Sequence, residues 1–304
     1  MEKLKVLIYG AGVIGSLYAT YLSRAGIAVS VLARGRRLAE LREKGLLHRG
    51  KSGVTRAAVT ILEHLAPEDT YDFILLTVRA EQLHTTLSEL RENRSPTIVT
   101  MVNSLEAYES WEALCGKGRI LPAFPGAGGG LTDGVLDAAL TPRLVQPTTF
   151  GEIRGVKTAR AKALKALFRL AGIPCQVVPD MHAWQLCHLA MVVPLADAYY
   201  ESACGPARVW RDRTAMRRTA EQLRQNFRTL RKLGVSISPG KLKFFLCCPA
   251  GLLTIILPLV YRSGFGDRFM YRHAATARSE MDTLHREFYA FLNDTEPEKR
   301  TRTG

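Results

Sequence analysis

Gly10-Ala11-Gly12-Val13-Ile14-Gly15 carries a Gly-x-Gly-x-x-Gly spacing suited to one chemical task, the close approach of backbone to a diphosphate. Gly10 permits a tight turn, Gly12 leaves no Cβ in the way of the phosphates, and Gly15 lets a helix pack closely on a strand. Val13 and Ile14 then open that helix, whose first N–H groups and positive dipole end face an anion. A second cluster follows at Ala33-Arg34-Gly35-Arg36-Arg37. An acidic residue there would bind ribose hydroxyls and repel a 2′-phosphate, whereas a guanidinium pairs with the phosphate. Arg34 is the foremost candidate, and the expected cofactor is NADP(H). Arg36 and Arg37 alone read equally as a solvated helix start.

The elements around these residues have the required order. Val6-Leu7-Ile8-Tyr9 is a short apolar strand, Ser16 to Ala25 has helical spacing, and Ala28 to Ala33 is a second strand. Strand, glycine turn, helix and strand make a βαβ unit. Further strands are expected at Asp72–Val78 and Thr97–Val102, with a helix over Glu81–Arg91, a helix over Thr158–Ala171 and a strand at Cys175–Val178. After Pro179-Asp180 long helical patterns take over: Met181–Tyr200, Arg213–Leu233 and Ala274–Leu292. In the second of these, Met216, Ala220, Leu223, Phe227 and Leu230 form an apolar stripe beside a stripe of arginines. The fold expected is α/β: a Rossmann-type doubly wound parallel sheet over residues 1–180, followed by an all-α domain over 181–304 for substrate binding and dimerisation.

Composition narrows the function classes. With 304 residues, 47% hydrophobic and 23% charged, the chain is neither disordered nor fibrous. A net charge of +14 fits an anionic cofactor and a small anionic substrate. The excess is spread over both halves without a nucleic-acid-binding signature, so no nucleic-acid partner is expected. The six cysteines form no Cys-x-x-Cys pair and the histidines lack zinc-site spacing, so no metal is expected. The opening residues lack the features of a signal peptide, which predicts a cytoplasmic chain with reduced thiols. Phe244–Tyr261 is uncharged over 18 residues but holds Pro249, Gly251 and Pro258. Two short buried helices in a core or subunit interface, in a homodimer, are expected there in preference to membrane contact. Pro125–Gly130 has the glycines of a phosphate loop without the following Lys-Ser/Thr and is expected to be a flexible loop near the cleft.

The motifs together resemble the ketopantoate reductase family over residues 4–292. Leu76-Thr77-Val78-Arg79 is similar to that family's strand ending in Val-Lys, and Val102-Asn103 to its next strand ending in Asn. Thr149-Phe150-Gly151-Glu152 resembles its strand before the interdomain helix, Trp184–Ala190 the helix start carrying its catalytic Lys, and Arg278–Asp282 the helix carrying its active-site Glu. The resemblance places Asn103 on the nicotinamide side and Glu280 on the substrate side, and it puts Arg79 where the family has a Lys near the cofactor. The proton-donating Lys falls on His188, and two Asn positions fall on Val192 and Ala196. A substrate-binding Ser aligns loosely with Arg268.

Reduction of a carbonyl needs a hydride donor over the carbon and a proton source for the oxygen. His188 has the right chemistry for that proton, and His182 is a second candidate. Packed roles remain open for both, as do a strand-end turn role for Asn103 and a surface role for Glu280. Arg79 is expected to hold a substrate carboxylate or the cofactor phosphates. The reading is an NADPH-dependent oxidoreductase acting on a small carbonyl compound, a 2-oxo acid. Its alternative is a catalytically degenerate NADP(H)-binding sensor or interaction protein, motivated by the missing Lys.

Overall fold

The computed structural model describes residues 4–50, 52–264, 266–271 and 278–294. They form two compact units, Met1–Met181 and His182–Gly304. The first is built on a sheet in the order β12-β11-β8-β7-β6-β1-β2-β5. Its strands are β1 (Lys5–Tyr9), β2 (Ala28–Leu32), β5 (Thr60–Leu62), β6 (Phe73–Leu76), β7 (Ile98–Thr100), β8 (Ile120–Phe124), β11 (Thr148–Phe150) and β12 (Cys175–Val177). All neighbours run parallel except β11 and β8. Phe73, Ile74, Leu75 and Leu76 are all buried, the pattern of a strand covered on both faces. The doubly wound α/β fold expected from the alternating elements is present, followed by the expected helical region.

The chain order reverses beside β1. After β1 it passes through α1 (Val13–Arg24) to β2 on one flank, and it later returns to β6 on the other flank. That reversal opens a crevice at the carboxyl ends of β1 and β6, the place where such sheets bind ligands.

A second sheet was not anticipated. It has the order β4-β3-β10-β9, from β3 (Leu46–Gly50), β4 (Gly53–Ala57), β9 (Ala127–Thr132) and β10 (Val135–Leu140). Leu136 and Ala138 of β10 pack on Leu17 of α1. The expected flexible loop at Pro125–Gly130 is thereby corrected: Gly128, Gly129 and Gly130 are strand residues paired with Ala139, Ala138 and Asp137. A Cβ on Gly129 would lie 2.3 Å from Ala138 Cα, so the strands approach too closely for a side chain.

Helices of the first unit used below are α2 (Gly35–Lys44), α3 (Leu83–Glu89) and α5 (Ala159–Leu170), with α4 (Tyr108–Cys115) between the last two. The expected helix over Glu81–Arg91 begins instead as a 3₁₀ turn, Ala80–Gln82. Thr158 caps α5, its hydroxyl accepting from Ala161 N at 3.2 Å.

The second unit is helical: α6 (Met181–Glu201), α7 (Arg213–Lys232), α8 (Phe244–Cys247), α9 (Ala250–Arg262) and α10 (Arg278–Asp294). Asp212 caps α7 by accepting from Ala215 N at 2.9 Å. The apolar stripe of Met216, Ala220, Leu223, Phe227 and Leu230 is fully buried, each large member contributing roughly 1.5–3 kcal/mol. The 244–261 segment forms two helices, but one side of α9 is bare, with Leu252, Ile255 and Leu259 exposed. Among the described residues, no helix is long and apolar enough to cross a membrane.

Candidate functional site

A cavity of about 740 Å³ occupies the crevice of the first unit. Its floor is the turn after β1, with Tyr9, Gly10, Ala11 and Gly12. Arg34, Arg36 and Arg37 come to it from the end of β2 and the start of α2, and Thr77, Val78 and Arg79 from the end of β6. Leu131, Asp133 and Gly134 of the second sheet also line it.

The glycines there serve different spatial needs. Gly10 has φ +109°, and its carbonyl accepts from Thr77 Oγ1 at 2.8 Å, which ties the turn to the end of β6. A Cβ on Gly15 would lie 2.0 Å from that same carbonyl oxygen and 2.8 Å from Ile8 Cγ2. A Cβ on Gly12 would meet nothing within 4 Å. Gly12 stands at the N-terminal cap of α1, exposed and with no side-chain capping bond. The open space therefore lies where the unpaired amides of the first helical turn emerge, with Val13 and Ile14 half-buried just behind. This arrangement fits a diphosphate.

The three arginines differ sharply. Arg36 points into solvent, with a side chain 94% exposed and a weak contact to Glu40 at 3.5 Å. Arg37 does not behave as a solvated helix start, since its side chain is only 16% exposed. Its Nε donates to Ala11 O at 3.1 Å and its Nη1 meets Glu40 Oε2 at 3.2 Å, while its Nη2 is buried without a hydrogen-bond partner among the described residues. Arg34 stands at the N-cap position of α2 without a side-chain capping bond, and its guanidinium donates to Glu89 and to the Tyr9 hydroxyl. Tyr9 and Glu89 were not singled out by sequence reasoning, which named Arg37 only as part of the arginine cluster. Tyr9 ends the first strand and Arg37 lies within the arginine cluster, both readable signals, but nothing local marks Glu89.

Arg79 lines the cavity beside Glu81, 3.8 Å away, and stays largely exposed. Asn103 follows β7, half-buried, and its Oδ1 is buried with no hydrogen-bond partner among the described residues. It does not line the cavity. The structure thus gathers Gly10, Gly12, Arg34 and Arg79 around one space, with Val13, Ile14 and Gly15 behind its floor and Asn103 outside its walls.

The remaining candidates belong to the second unit. His188 is buried on α6 with its ring stacked on Trp184, centroids 5.2 Å apart and planes 7° from parallel. His182 sits edge-on to Phe291 at 6.4 Å. Glu280 is half-buried in the first turn of α10, where the helix dipole favours a carboxylate. The side chain of Arg268 lies outside the described residues. Among the described residues, no group of three His, Cys, Asp or Glu is placed to hold a metal ion.

Comparison with known proteins identifies the fold. Residues 6–139 match the family described as ketopantoate reductase PanE/ApbA. A curated relative, 2-dehydropantoate 2-reductase of Archaeoglobus fulgidus, is 29% identical over 183 residues, 60% of this chain. The chain spans 58% of that relative's length. The crystal structure of 2-dehydropantoate 2-reductase from Geobacter metallireducens superposes with a TM-score of 0.72 at 19% identity, covering 96% of this chain and 94% of that one. A ternary structure of D-mandelate dehydrogenase with NADH and anilino(oxo)acetate gives a TM-score of 0.65 at 15% identity, covering 96% and 99%. Over residues 6–139 the chain is thus similar to the ketopantoate reductase PanE/ApbA family, and over nearly its whole length it shares the fold of the solved reductases.

Proposed function

We propose that the protein is an NADPH-dependent reductase of a small carbonyl compound, a 2-oxo acid. One observation carries this reading above the others. The cavity at the sheet's reversal point has a Cβ-free helix N-terminus on one side and Arg34, Arg36 and Arg37 on the other. A dinucleotide with an additional ribose phosphate needs both features. The Archaeoglobus relative, a 2-dehydropantoate 2-reductase, supports the substrate class.

When bound, NADPH supplies a hydride from C4 of its nicotinamide. The chain's own residues do the rest. Gly12, Val13 and Ile14 present backbone N–H groups to the diphosphate. Arg34 pairs with the ribose phosphate, and Asn103 offers an amide to the nicotinamide side. Arg79 holds the carboxylate of the substrate, and the family resemblance assigns Glu280 to substrate binding. The family resemblance assigns His188 the part of proton donor, for which its imidazole has the right chemistry. Val192 and Ala196 stand where the family carries Asn, which favours a less polar 2-oxo acid over ketopantoate itself. The chain works as a homodimer, a reading supported by the bare Leu252, Ile255 and Leu259 stripe of α9. It acts in the cytoplasm on a small molecule, without nucleic acid or membrane.

Calorimetric binding of NADPH, together with its consumption over a panel of 2-oxo acids, tests the proposal. Binding and turnover on at least one acid are expected. Binding without turnover on any acid transfers the reading to a nucleotide sensor.

A further inference from the structure

Arg34 is not a vacant phosphate reader. Its Nη2 lies 2.7 Å from Glu89 Oε2 and its Nη1 3.3 Å from Glu89 Oε1, so both guanidinium nitrogens face one carboxylate. The same Nη2 donates to the Tyr9 hydroxyl at 2.8 Å, and that hydroxyl donates to Glu89 Oε2 at 2.5 Å. The three side chains close a triangle. The Arg34 guanidinium lies 5.8 Å from the centre of the Tyr9 ring. Tyr9 and Arg34 line the cavity, and Glu89, the last residue of α3, stands one contact behind them.

The triangle has a charge consequence. Hydrogen bonding from Arg34 holds the Glu89 carboxyl below its ordinary range, so it is an anion at neutral pH. Both partners keep solvent contact, with 60% of the Arg34 side chain and 40% of that of Glu89 exposed. An exposed ion pair of this kind is weak enough to exchange partners. A 2′-phosphate arriving at Arg34 must take the guanidinium from a carboxylate that remains close by, and the two anions repel. A dinucleotide with a plain 2′-hydroxyl brings no charge to that position and meets no such competition.

We propose that Glu89 is a specificity-determining residue, one that competes with the 2′-phosphate for Arg34 and so narrows the preference for NADPH over NADH. The inference rests on the dinucleotide reading above. It deepens that reading by assigning the degree of cofactor discrimination to a residue outside both glycine and arginine motifs. Tyr9 is a positioning residue in this arrangement, because its hydroxyl bridges the two charged groups.

The test is calorimetric binding of NADPH and NADH to wild type, Glu89→Gln and Glu89→Asp. Removing the competing charge in Glu89→Gln should tighten NADPH about tenfold and leave NADH within about twofold. Glu89→Asp keeps the charge on a shorter arm and should tighten NADPH by a smaller factor, which preserves the test if the Gln variant folds poorly. An unchanged NADPH-to-NADH ratio in both variants, or weaker NADPH binding, overturns this inference and leaves the dinucleotide reading standing. If neither nucleotide binds to wild type or variants, both fall together.

Discussion

Gly12 and Gly15 stand three residues apart in one turn, yet the space beside them is opposite in kind. A Cβ on Gly15 would lie 2.0 Å from the Gly10 carbonyl oxygen, whereas one on Gly12 would meet nothing within 4 Å. Gly15 serves the protein's own packing, whereas the space beside Gly12 is open, and we propose that the dinucleotide fills it. Gly12 has φ −72°, a value that alanine adopts freely.

Gly15→Ala and Gly12→Ala should therefore separate stability from binding. Gly15→Ala forces α1 away from β1 and should cost about 1–3 kcal/mol of stability, read as a lower midpoint in urea. Gly12→Ala should leave that midpoint unchanged and weaken NADPH binding by roughly tenfold or more. Equal stability loss in both variants would show that the space beside Gly12 is needed by the fold itself.

His188→Gln tests the proton source. The side chain keeps comparable bulk against Trp184 but has no titrating ring. Turnover should fall by roughly 10²–10⁴-fold while the NADPH dissociation constant holds. Unchanged turnover would confine His188 to packing.

Much of the fold was legible because the relevant signals are local. The β1 strand, the glycine turn and α1 each announce themselves within a few residues, and the α7 stripe repeats at helical spacing. The small second sheet did not, since Gly128, Gly129 and Gly130 have one of the weakest strand tendencies and take their strand from β10. Glu89 was invisible for a related reason. Its partner Arg34 is 55 residues away, and only the sheet's crossover brings α3 to the end of β2. Charged pairs across such a distance leave no periodicity to read.

Glu152 gives a pH-dependent prediction. Burial raises its pKa, but hydrogen bonds from Arg160 and Thr158 outweigh burial and hold the carboxyl below its ordinary value of 4.5. Arg160 Nη2 lies 2.6 Å from Oε2 and Nε 2.9 Å from Oε1. A depressed folded-state pKa contributes stability that is complete above 4.5 and fades as pH falls through the lower folded value. Glu152→Gln should lose about 1–3 kcal/mol at neutral pH. Its stability should also fall less steeply than that of wild type as pH drops below about 4.5. Parallel acid profiles for the two proteins would remove Glu152 as a source of acid sensitivity.

Ile255 is 68% exposed at the centre of the bare α9 stripe. In a homodimer formed through that stripe, Ile255→Glu buries a charge and should shift sedimentation to the monomer while the thermal midpoint of the monomer holds. A wild-type chain that sediments as a monomer at all concentrations would rule out this interface.

Arg34→Glu probes the central claim most directly, with NADPH and NADH titrated calorimetrically into wild type and variant. Wild type should bind NADPH saturably, one per chain, in roughly the micromolar range. The variant places two carboxylates at the ribose phosphate and should lose about 100-fold for NADPH, with a far smaller change for NADH. Absence of saturable NADPH binding to wild type, or equal losses for both nucleotides in the variant, would contradict the account.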